Sequence, residues 1–344
     1  MNNTDNRSRV VLITVHCEAS RLERLQSLFP DLQFHVQSTD YAGAIPDDLW
    51  QEVEILYSFA STLPSQVQAP RLRWVQLYSA GANHIVKQPL FQTPVIFTTA
   101  SGVHAVTMAE YVFTVMLSWF HHFPLMLEWQ QKGQWPPEAQ RSSLFTPEEL
   151  RGKTIGIVGY GSIGREVARL ATAFGMRVLA MQQSADHRDH GFIFPGIGDP
   201  QGNLPDHYYT SDQLHAMLRE SDIVLVAVPL TPKTRGMLDD AAFQAMKPTA
   251  FLINIARGDI CDEAALVRAL QKKQIAGAAL DVFHQEPLPA NSILWRLPNV
   301  YISPHITGFT SRYEERVTMI FAENLRRYQA GEPLYNIVDK ERGY

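Results

Sequence analysis

Three ionisable side chains stand just after short apolar runs of the sequence. Arg257 follows the run LINIA, Glu286 comes shortly after LDVF, and His305 follows VYIS. Runs of this length are consistent with buried parallel strands, and open parallel sheets bind their ligands outside the carboxyl ends of the strands. Each residue alone has an ordinary interpretation, as a surface arginine, a Glu-Pro turn or one histidine among 12. Their shared position at strand ends favours convergence on one ligand site.

A glycine-rich turn that reads GYGSIG is the second chemical signal. It follows a short apolar run, Thr154–Val158, and precedes apolar residues at helical spacing and another run, Arg177–Met181. In a strand-turn-helix-strand unit, Gly159 permits the tight turn, Gly161 lets the backbone approach a pyrophosphate, and Gly164 lets the helix pack on the strand. The N–H groups at the start of the helix then face the anion. The pattern predicts a dinucleotide-binding site.

The elements that position these residues alternate between apolar runs and helical patterns, which predicts an α/β protein with parallel sheets. A chain of 344 residues favours two domains. Strand candidates before residue 100 indicate one α/β domain without a phosphate-binding turn, and a long helical stretch over residues 101–129 leads into the next. We expect a first domain of residues 1–100, completed by 307–344, and a dinucleotide-binding Rossmann domain of residues 101–306.

Composition narrows the function classes. Hydrophobic residues make up 45% and charged residues 19%, which is typical of a globular protein with sizeable cores. The net charge of -5, without a basic block, argues against a nucleic-acid partner. Glu110 and Pro124 interrupt the most apolar segment, residues 108–127, which therefore predicts a buried or interface helix and no membrane association.

Cysteine content and the N-terminal sequence bear on the compartment. Cys17 and Cys261 are too few for a disulfide scaffold or a cysteine metal site. The apolar run near the N-terminus is too short for the core of a signal peptide. We therefore predict a cytoplasmic protein without a metal site.

Six segments together carry a family resemblance, namely SGVHAVTMAEY, GYGSIG, VPLTPKTRG, INIARGD, LDVFHQEPL and PHITG. In order and spacing they resemble the D-isomer-specific 2-hydroxyacid dehydrogenases, which include glyoxylate/hydroxypyruvate reductases and 3-phosphoglycerate dehydrogenase. The match covers nearly all of residues 75–310. It implies two Rossmann-like parallel-sheet domains with an interdomain active-site cleft. It also implies an oxidoreductase that transfers a hydride between NAD(P)H and a small 2-oxo acid to give the D-2-hydroxy acid.

The resemblance gives a role to each of the three strand-end residues. It implies that Arg257 binds the substrate's carboxylate and carbonyl oxygen, that His305 is the acid/base, and that Glu286 pairs with His305. The chemistry needs these residue types, because hydride addition to a 2-oxo acid creates an alkoxide that must receive a proton. A guanidinium binds a carboxylate at two points and keeps its charge.

The resemblance also implies further contacts. The backbone N–H groups of Ala80 and Gly81 would hold the substrate carboxylate, and Asp281 would contact the nicotinamide amide. Ser162 and Ile163 would lie at the pyrophosphate. The other positions that correspond to cofactor contacts are Val228, Thr234 and Ile255.

One departure from the family pattern concerns the choice of cofactor. The acidic residue that bonds the adenosine ribose in the family falls here on Gln182, which removes the repulsion of a 2′-phosphate. Arg188 follows in a stretch of little periodicity, residues 182–209, which we interpret as a surface loop or part of the site. Asp186 and Asp189 flank this arginine and would largely cancel its attraction for a phosphate. We favour NADP over NAD.

Two other classes of protein have related sequence patterns. A dinucleotide-sensing protein like the corepressors of this fold would keep the same residues, whereas formate dehydrogenases lack the pair formed by Glu286 and His305. The identity of the 2-oxo acid stays open. The apolar stretch over residues 111–129 predicts an interface. The resemblance implies that this region forms a two-fold dimer, so we predict a homodimer. Trp135 either reaches toward the neighbouring subunit or packs on its own.

Overall fold

The computed structural model describes residues 9–341, which divide into two compact units. The first unit contains the residues before His104, the short segment His190–Phe192 and the residues from Ser311 onward. The second contains His104–Asp189 and Ile193–Thr310. The domain boundaries expected after residues 100 and 306 remain a prediction. The first eight and last three residues of the expected first domain lie outside the described part of the chain.

The first unit is built on one parallel sheet. Its elements up to the end of that sheet are β1 (Arg9–Ile13), α1 (Ala19–Leu28), β2 (Leu32–Val36), α2 (Asp47–Glu52), β3 (Val53–Ser58), β4 (Trp74–Leu77) and β5 (Ile96–Thr98). The strands pair in parallel in the order β2-β1-β3-β4-β5. The central strands are buried along nearly their whole length, as expected for a parallel sheet that is covered on both faces.

The second unit contains a larger parallel sheet. Its elements are α3 (Ala105–Phe120), α4 (Phe123–Gln131), α5 (Glu138–Phe145), β6 (Thr154–Val158), α6 (Ser162–Ala173), β7 (Arg177–Met181), β8 (His207–Tyr209), α7 (Leu214–Glu220), β9 (Ile223–Val226), α8 (Asp240–Ala245), β10 (Phe251–Asn254), α9 (Glu263–Gln271), β11 (Gly277–Leu280) and β12 (Val300–Ile302). The strand order is β12-β11-β10-β9-β6-β7-β8. The order reverses between β9 and β6, which is where such sheets bind dinucleotides.

Alternate residues of each strand in the second unit enter different cores. On β9, Val224 and Val226 pack with residues of α7, α8 and α9, whereas Ile223 and Leu225 pack with residues of α3 and α6. Both faces of the sheet are therefore apolar, which explains why the strands read as continuous apolar runs.

The chain returns to the first unit in its last helix, α10 (Tyr313–Ala330). Phe321 of this helix is fully buried and stacks on Tyr57 of β3, with ring centroids 4.4 Å apart. The buried Asn324 donates to Gln76 of β4 at 3.1 Å. The C-terminal helix is thus part of the core of the first unit.

The prediction of two Rossmann-like α/β domains with parallel sheets is confirmed. One element differs from expectation, because the helical stretch over residues 101–129 is two helices. His122 adopts a left-handed conformation with φ 52° between α3 and α4, and Pro124 in the first turn of α4 has no N–H to continue the hydrogen bonding of α3. None of the helices within residues 9–341 has the length and apolar character needed to cross a bilayer.

Candidate active site

Three neighbouring strands of the second unit carry the residues predicted to do chemistry. Arg257 follows β10, Glu286 follows β11, and His305 follows β12. These strands are adjacent and parallel, so the loops that carry the three side chains leave the same edge of the sheet.

The structure joins Glu286 and His305 directly. The distance from Glu286 Oε2 to His305 Nδ1 is 2.7 Å, and the other carboxylate oxygen accepts the Phe283 N–H at 3.0 Å. A carboxylate that accepts from Nδ1 fixes the tautomer of the ring and leaves Nε2 available to a ligand. Both side chains are partly exposed, 47% for His305 and 36% for Glu286. The pair is therefore oriented by the protein and still open to a small molecule.

The backbone of His305 lies in the left-handed region, with φ 55°. This conformation is uncommon for residues other than glycine and often marks functional sites. The His305 N–H donates to the carbonyl of Asp281 at 2.9 Å. The Asp281 side chain is fully buried, and its two oxygens accept from Ser303 Oγ, from Thr307 Oγ1 and from the N–H groups of Ile306 and Thr307. Asp281 thus holds the loop that carries His305, and its contact with a nicotinamide amide remains a prediction.

Arg257 lies on the loop next to this pair and is exposed. Its guanidinium donates to the carbonyl of Ala256 at 2.6 Å, and its own carbonyl accepts from the buried Asn254 side chain at 3.2 Å. A Cβ on Gly258 would lie 1.9 Å from the carbonyl carbon of Phe283, so only glycine allows the loops after β10 and β11 to touch. The Arg257 backbone is thus packed against the segment that leads to Glu286.

Cys261, on the same loop as Arg257, is fully buried by the surrounding apolar residues. This burial raises the pKa of the Cys261 thiol to about 12. The thiol stays protonated near neutrality and offers no nucleophile to the site.

The glycine turn after β6 fits a dinucleotide. Gly159 has φ 105°, and a Cβ there would lie 2.8 Å from the carbonyl of Ala227. A Cβ on Gly164 would lie 2.5 Å from the carbonyl oxygen of Gly159, whereas nothing lies within 4 Å of a Cβ on Gly161. The first and third glycines are therefore required by the fold, and the second faces open space at the N-terminus of α6, where Ser162 and Ile163 begin the helix. Such open space is what the approach of a pyrophosphate needs.

Three further predicted cofactor positions lie at the same edge of the sheet. Val228 comes shortly after β9, and the buried Ile255 directly follows β10. Thr234 closes the turn after Val228, because its hydroxyl donates to the carbonyl of Pro229 at 2.7 Å and accepts the Thr231 N–H at 2.8 Å. These loops follow β9, which neighbours β6 in the sheet, and β10, which neighbours β9.

The two residues predicted to select the cofactor have close partners within their own loop. Gln182 directly follows β7, and its amide lies 3.4 Å from both the carbonyl of Asp186 and Nδ1 of His187. The exposed Arg188 donates from Nε and Nη2 to the two carboxylate oxygens of Asp186, at 2.9 and 2.8 Å. The charge of Arg188 is therefore paired in this structure, which is the alternative that the sequence left open.

Residues 183–206, which we call the 183–206 loop, are held by side chains of the glycine turn and of α6. Sequence reasoning missed these contacts. Arg165 of α6 is buried and donates to the carbonyls of Asp199 and His187, both at 2.7 Å. Tyr160, in the glycine turn, donates its hydroxyl to the Asp199 carboxylate at 2.7 Å, and burial together with this carboxylate raises the pKa of Tyr160 well above its usual value. The loop is thus fixed to the glycine turn and to the helix that follows it.

The end of the stretch from 182 to 209 also differs from expectation. His207–Tyr209 forms β8, which extends the sheet beside β7. The strand has only three residues, too few for a periodic signal. One sequence feature could have indicated that the 183–206 loop is fixed. Arg165 and Glu166 are adjacent charged residues in a helical segment where most of the nearby residues are apolar.

Ala80 and Gly81 belong to the first unit and follow β4. The Ser79 hydroxyl donates to the carbonyl of Gly81 at 2.9 Å, and a Cβ on Gly81 would meet nothing within 4 Å. Their binding of a substrate carboxylate remains a prediction. Among residues 9–341, no group of three or more His, Cys, Asp or Glu side chains is placed to hold a metal ion.

Comparison with known proteins identifies the family. Residues 113–307 match the family model described as D-isomer specific 2-hydroxyacid dehydrogenase, NAD binding domain. A glyoxylate reductase of Pyrococcus furiosus is 34% identical over an alignment of 323 residues that covers 90% of each chain.

Two solved structures are similar along nearly their whole length. A D-isomer specific 2-hydroxyacid dehydrogenase family protein of Aeromonas salmonicida is 30% identical with a TM-score of 0.76, covering 97% of this chain and 100% of that one. A D-isomer specific 2-hydroxyacid dehydrogenase of Xanthobacter autotrophicus, solved with NADPH and MES, is 28% identical with a TM-score of 0.76, covering 98% and 100%. The chain therefore belongs to the D-isomer specific 2-hydroxyacid dehydrogenases and is an NAD(P)-dependent oxidoreductase that acts on 2-oxo and 2-hydroxy acids.

Proposed function

We propose that this chain reduces a small 2-oxo acid, of the size of glyoxylate or hydroxypyruvate, to the D-2-hydroxy acid with NADPH as the preferred reductant. The observation that carries the proposal is the contact between His305 Nδ1 and Glu286 Oε2 at the carboxyl edge of a dinucleotide-type sheet. The name of the Pyrococcus furiosus relative supports the small substrate. The NADPH bound in the Xanthobacter autotrophicus structure supports the cofactor.

Protonation is the task of His305. A bound nicotinamide supplies the hydride that reaches the carbonyl carbon of the 2-oxo acid. His305 Nε2 donates a proton to the carbonyl oxygen as negative charge develops there, so this oxygen becomes the hydroxyl group of the product. Glu286 holds Nδ1 and stabilises the imidazolium before the transfer. In the reverse direction the same nitrogen accepts the proton.

Orientation of the substrate is the task of Arg257. Its exposed guanidinium offers two parallel N–H groups to the substrate carboxylate and carbonyl oxygen, and it keeps its charge at all working pH values. The backbone N–H groups of Ala80 and Gly81 add further donors to the carboxylate. Together these groups favour 2-oxo acids over simple aldehydes, which lack the second anchoring group.

The cofactor is held by the glycine turn and the loops after β9 and β10. Gly161, Ser162 and Ile163 meet the pyrophosphate, while Gly159 and Gly164 shape the turn. Val228, Thr234 and Ile255 would also contact the cofactor, and Asp281 would contact the nicotinamide amide.

Selection of NADPH rests on the end of β7. Gln182 carries no charge and therefore does not repel a 2′-phosphate. Arg188 stands on the following loop, but its pairing with Asp186 cancels most of its attraction for that phosphate.

A steady-state assay tests this function. Oxidation of NADPH and NADH should be followed with glyoxylate, hydroxypyruvate, pyruvate and bulkier 2-oxo acids. We expect the highest kcat/KM with glyoxylate or hydroxypyruvate and a ratio above one for NADPH over NADH. A ratio well below one would contradict the cofactor preference. Tight dinucleotide binding without turnover of any 2-oxo acid would favour the corepressor-like alternative.

We also propose that the chain is a homodimer. Helix α4 buries none of its residues, and Phe123, Met126 and Leu127 are exposed by 51%, 38% and 42%. Trp135, shortly after this helix, is 84% exposed. Exposed apolar patches of this kind mark interfaces, and a second copy would cover them. Light scattering that gives the mass of a monomer at micromolar concentration would contradict the dimer.

The remaining proposals concern partners and compartment. The acidic net charge supports a protein that binds small molecules and no nucleic acid. The two cysteines are both free, which supports a reducing cytoplasm. Retention on immobilised DNA at physiological salt, or activity found only in an oxidising compartment, would contradict these two points.

A further inference from the structure

Asp259 lies two residues after Arg257 and connects three loops at the functional edge of the second unit. Its carboxylate accepts from Nη1 of Arg235 and from Nδ1 of His284. Arg235 stands on the loop after β9, next to Thr234, and His284 stands on the loop after β11, two residues before Glu286. The loops joined by this one carboxylate are therefore those that carry Thr234, Arg257 and Glu286.

The backbones of the same loops are also in contact. The Gly236 N–H donates to the carbonyl of Asp259 at 2.8 Å, and Leu238 pairs with Cys261 in an isolated parallel bridge. On the other side, Gly258 touches the backbone of Phe283 so closely that no Cβ would fit. Movement of the Asp259 loop would thus be transmitted to both of its neighbours.

The segment between β11 and Glu286 is held at His284 from two sides. Its Nδ1 meets Asp259, and its N–H donates to Glu263, in the first turn of α9, at 3.1 Å. The preceding Phe283 N–H donates to Glu286 Oε1. The orientation of the Glu286 carboxylate, and through it that of His305, therefore depends on a short turn held by two acidic residues.

The Asp259 carboxyl group is stabilised in its ionised form by this arrangement. Hydrogen bonds from His284 and from Arg235 lower the pKa of Asp259, whose side chain is only 22% exposed. A carboxyl group with a lowered pKa is ionised above its unfolded value and loses this stabilising contact only as the pH falls through the folded value. The contact is thus present throughout the neutral range in which the reaction would be assayed.

We propose that Asp259 is a positioning residue for the reduction: its carboxylate joins the loops after β9, β10 and β11, and thereby sets the orientation of Glu286 and His305. This role rests on the proposed reduction of a 2-oxo acid. Asp259 does not touch the reacting atoms. It acts through His284 on one side and through Arg235 on the other.

Kinetics of Asp259→Asn, measured on the full-length protein with saturating NADPH and glyoxylate or hydroxypyruvate, test the proposal. Because small misplacements of catalytic groups cost large factors in rate, we expect kcat to fall about tenfold. Binding of NADPH, followed by quenching of protein fluorescence, should change less than kcat. The matched control is Asp240→Asn, which removes the exposed ion pair between Asp240 and Arg268 on α8 and α9 and should leave kcat at the parent value.

Variants of His284 separate positioning from general damage. His284→Ala removes the donor to Asp259 and should lower kcat about threefold. His284→Asn places an amide N–H close to the position of Nδ1 and should restore most of the loss, which a merely destabilised protein would not show. A parent that reduces no 2-oxo acid would overturn the proposed function itself. An active parent whose Asp259→Asn and His284→Ala variants keep its kcat would overturn the positioning role alone.

Discussion

The two halves of the second unit's sheet present functional edges of different construction. On the side of β10, β11 and β12, the loops are joined to each other by side-chain pairs, of which Glu286 with His305 is one. On the side of β6, β7 and β8, the long 183–206 loop is fixed by buried side chains, among them the Arg165 guanidinium and the Tyr160 hydroxyl. At the first edge, His305 is therefore accessible to a ligand. At the second edge, Arg165 is buried and holds a loop in place.

The exposed fraction of one side chain at each edge shows this difference. The side chain of His305 is 47% exposed, whereas that of Arg165 is 3% exposed. An accessible imidazole held at one nitrogen can exchange a proton with a ligand. A buried guanidinium with carbonyl partners fixes a loop and is costly to remove. We therefore expect catalysis to be lost by changes on the first side, and stability together with cofactor binding on the second.

The largest expected effect is that of His305→Asn. The variant loses the proton donor, whose contribution is about 100-fold to 10,000-fold in kcat. NADPH binding, measured by fluorescence quenching, should stay within about twofold, because the glycine turn is untouched. His215→Asn, on the exposed face of α7, is the control and should retain the parent rate. Normal turnover in a His305→Asn variant would show that proton transfer does not take place at this edge of the sheet.

Arg165→Met should affect the other half. The substitution leaves the carbonyls of Asp199 and His187 without their donors, which costs about 2–4 kcal/mol of unfolding free energy. The midpoint of thermal unfolding should therefore fall by several degrees, and NADPH should bind more weakly because the loop next to Gln182 is loosened. At saturating NADPH, kcat should remain close to that of the parent. The exposed Arg219→Met on α7 is the matched control. A fall in kcat as large as that of His305→Asn would erase the distinction between the two halves.

The smallest effect is expected for Arg188→Ala. Its guanidinium is 61% exposed and bound at two points by Asp186, so most of its attraction for a 2′-phosphate is already cancelled. The ratio of kcat/KM for NADPH over NADH should change by about threefold or less. Asp186→Asn releases the guanidinium and should raise the same ratio. A loss of tenfold or more in Arg188→Ala would mean that this arginine leaves Asp186 when NADPH binds.

The same contrast explains what could be predicted from the sequence. Each catalytic residue lies a few positions from the end of an apolar run, so strand positions alone bring Arg257, Glu286 and His305 to one edge. Gly159 and Gly164 are equally local, because their requirement comes from backbone contacts within one strand-turn-helix unit.

The rest depended on contacts between residues far apart in the chain. The two close hydrogen bonds of Arg165 go to main-chain carbonyls 22 and 34 positions away, which any residue type could supply. The linking role of Asp259 likewise appears only when the loops after β9 and β11 are in place. The break at His122 was hidden because the apolar pattern continues across both helices.

The turnover of Glu286→Gln tests the central claim most directly. If Glu286 holds His305 in the orientation that presents Nε2 to the substrate, loss of the carboxylate misplaces the proton donor. The kcat of the variant toward hydroxypyruvate at saturating NADPH should therefore fall by about tenfold or more, while NADPH binding stays within about twofold. A variant that keeps the kcat of the parent would contradict the assignment of Glu286 and His305 as a catalytic pair.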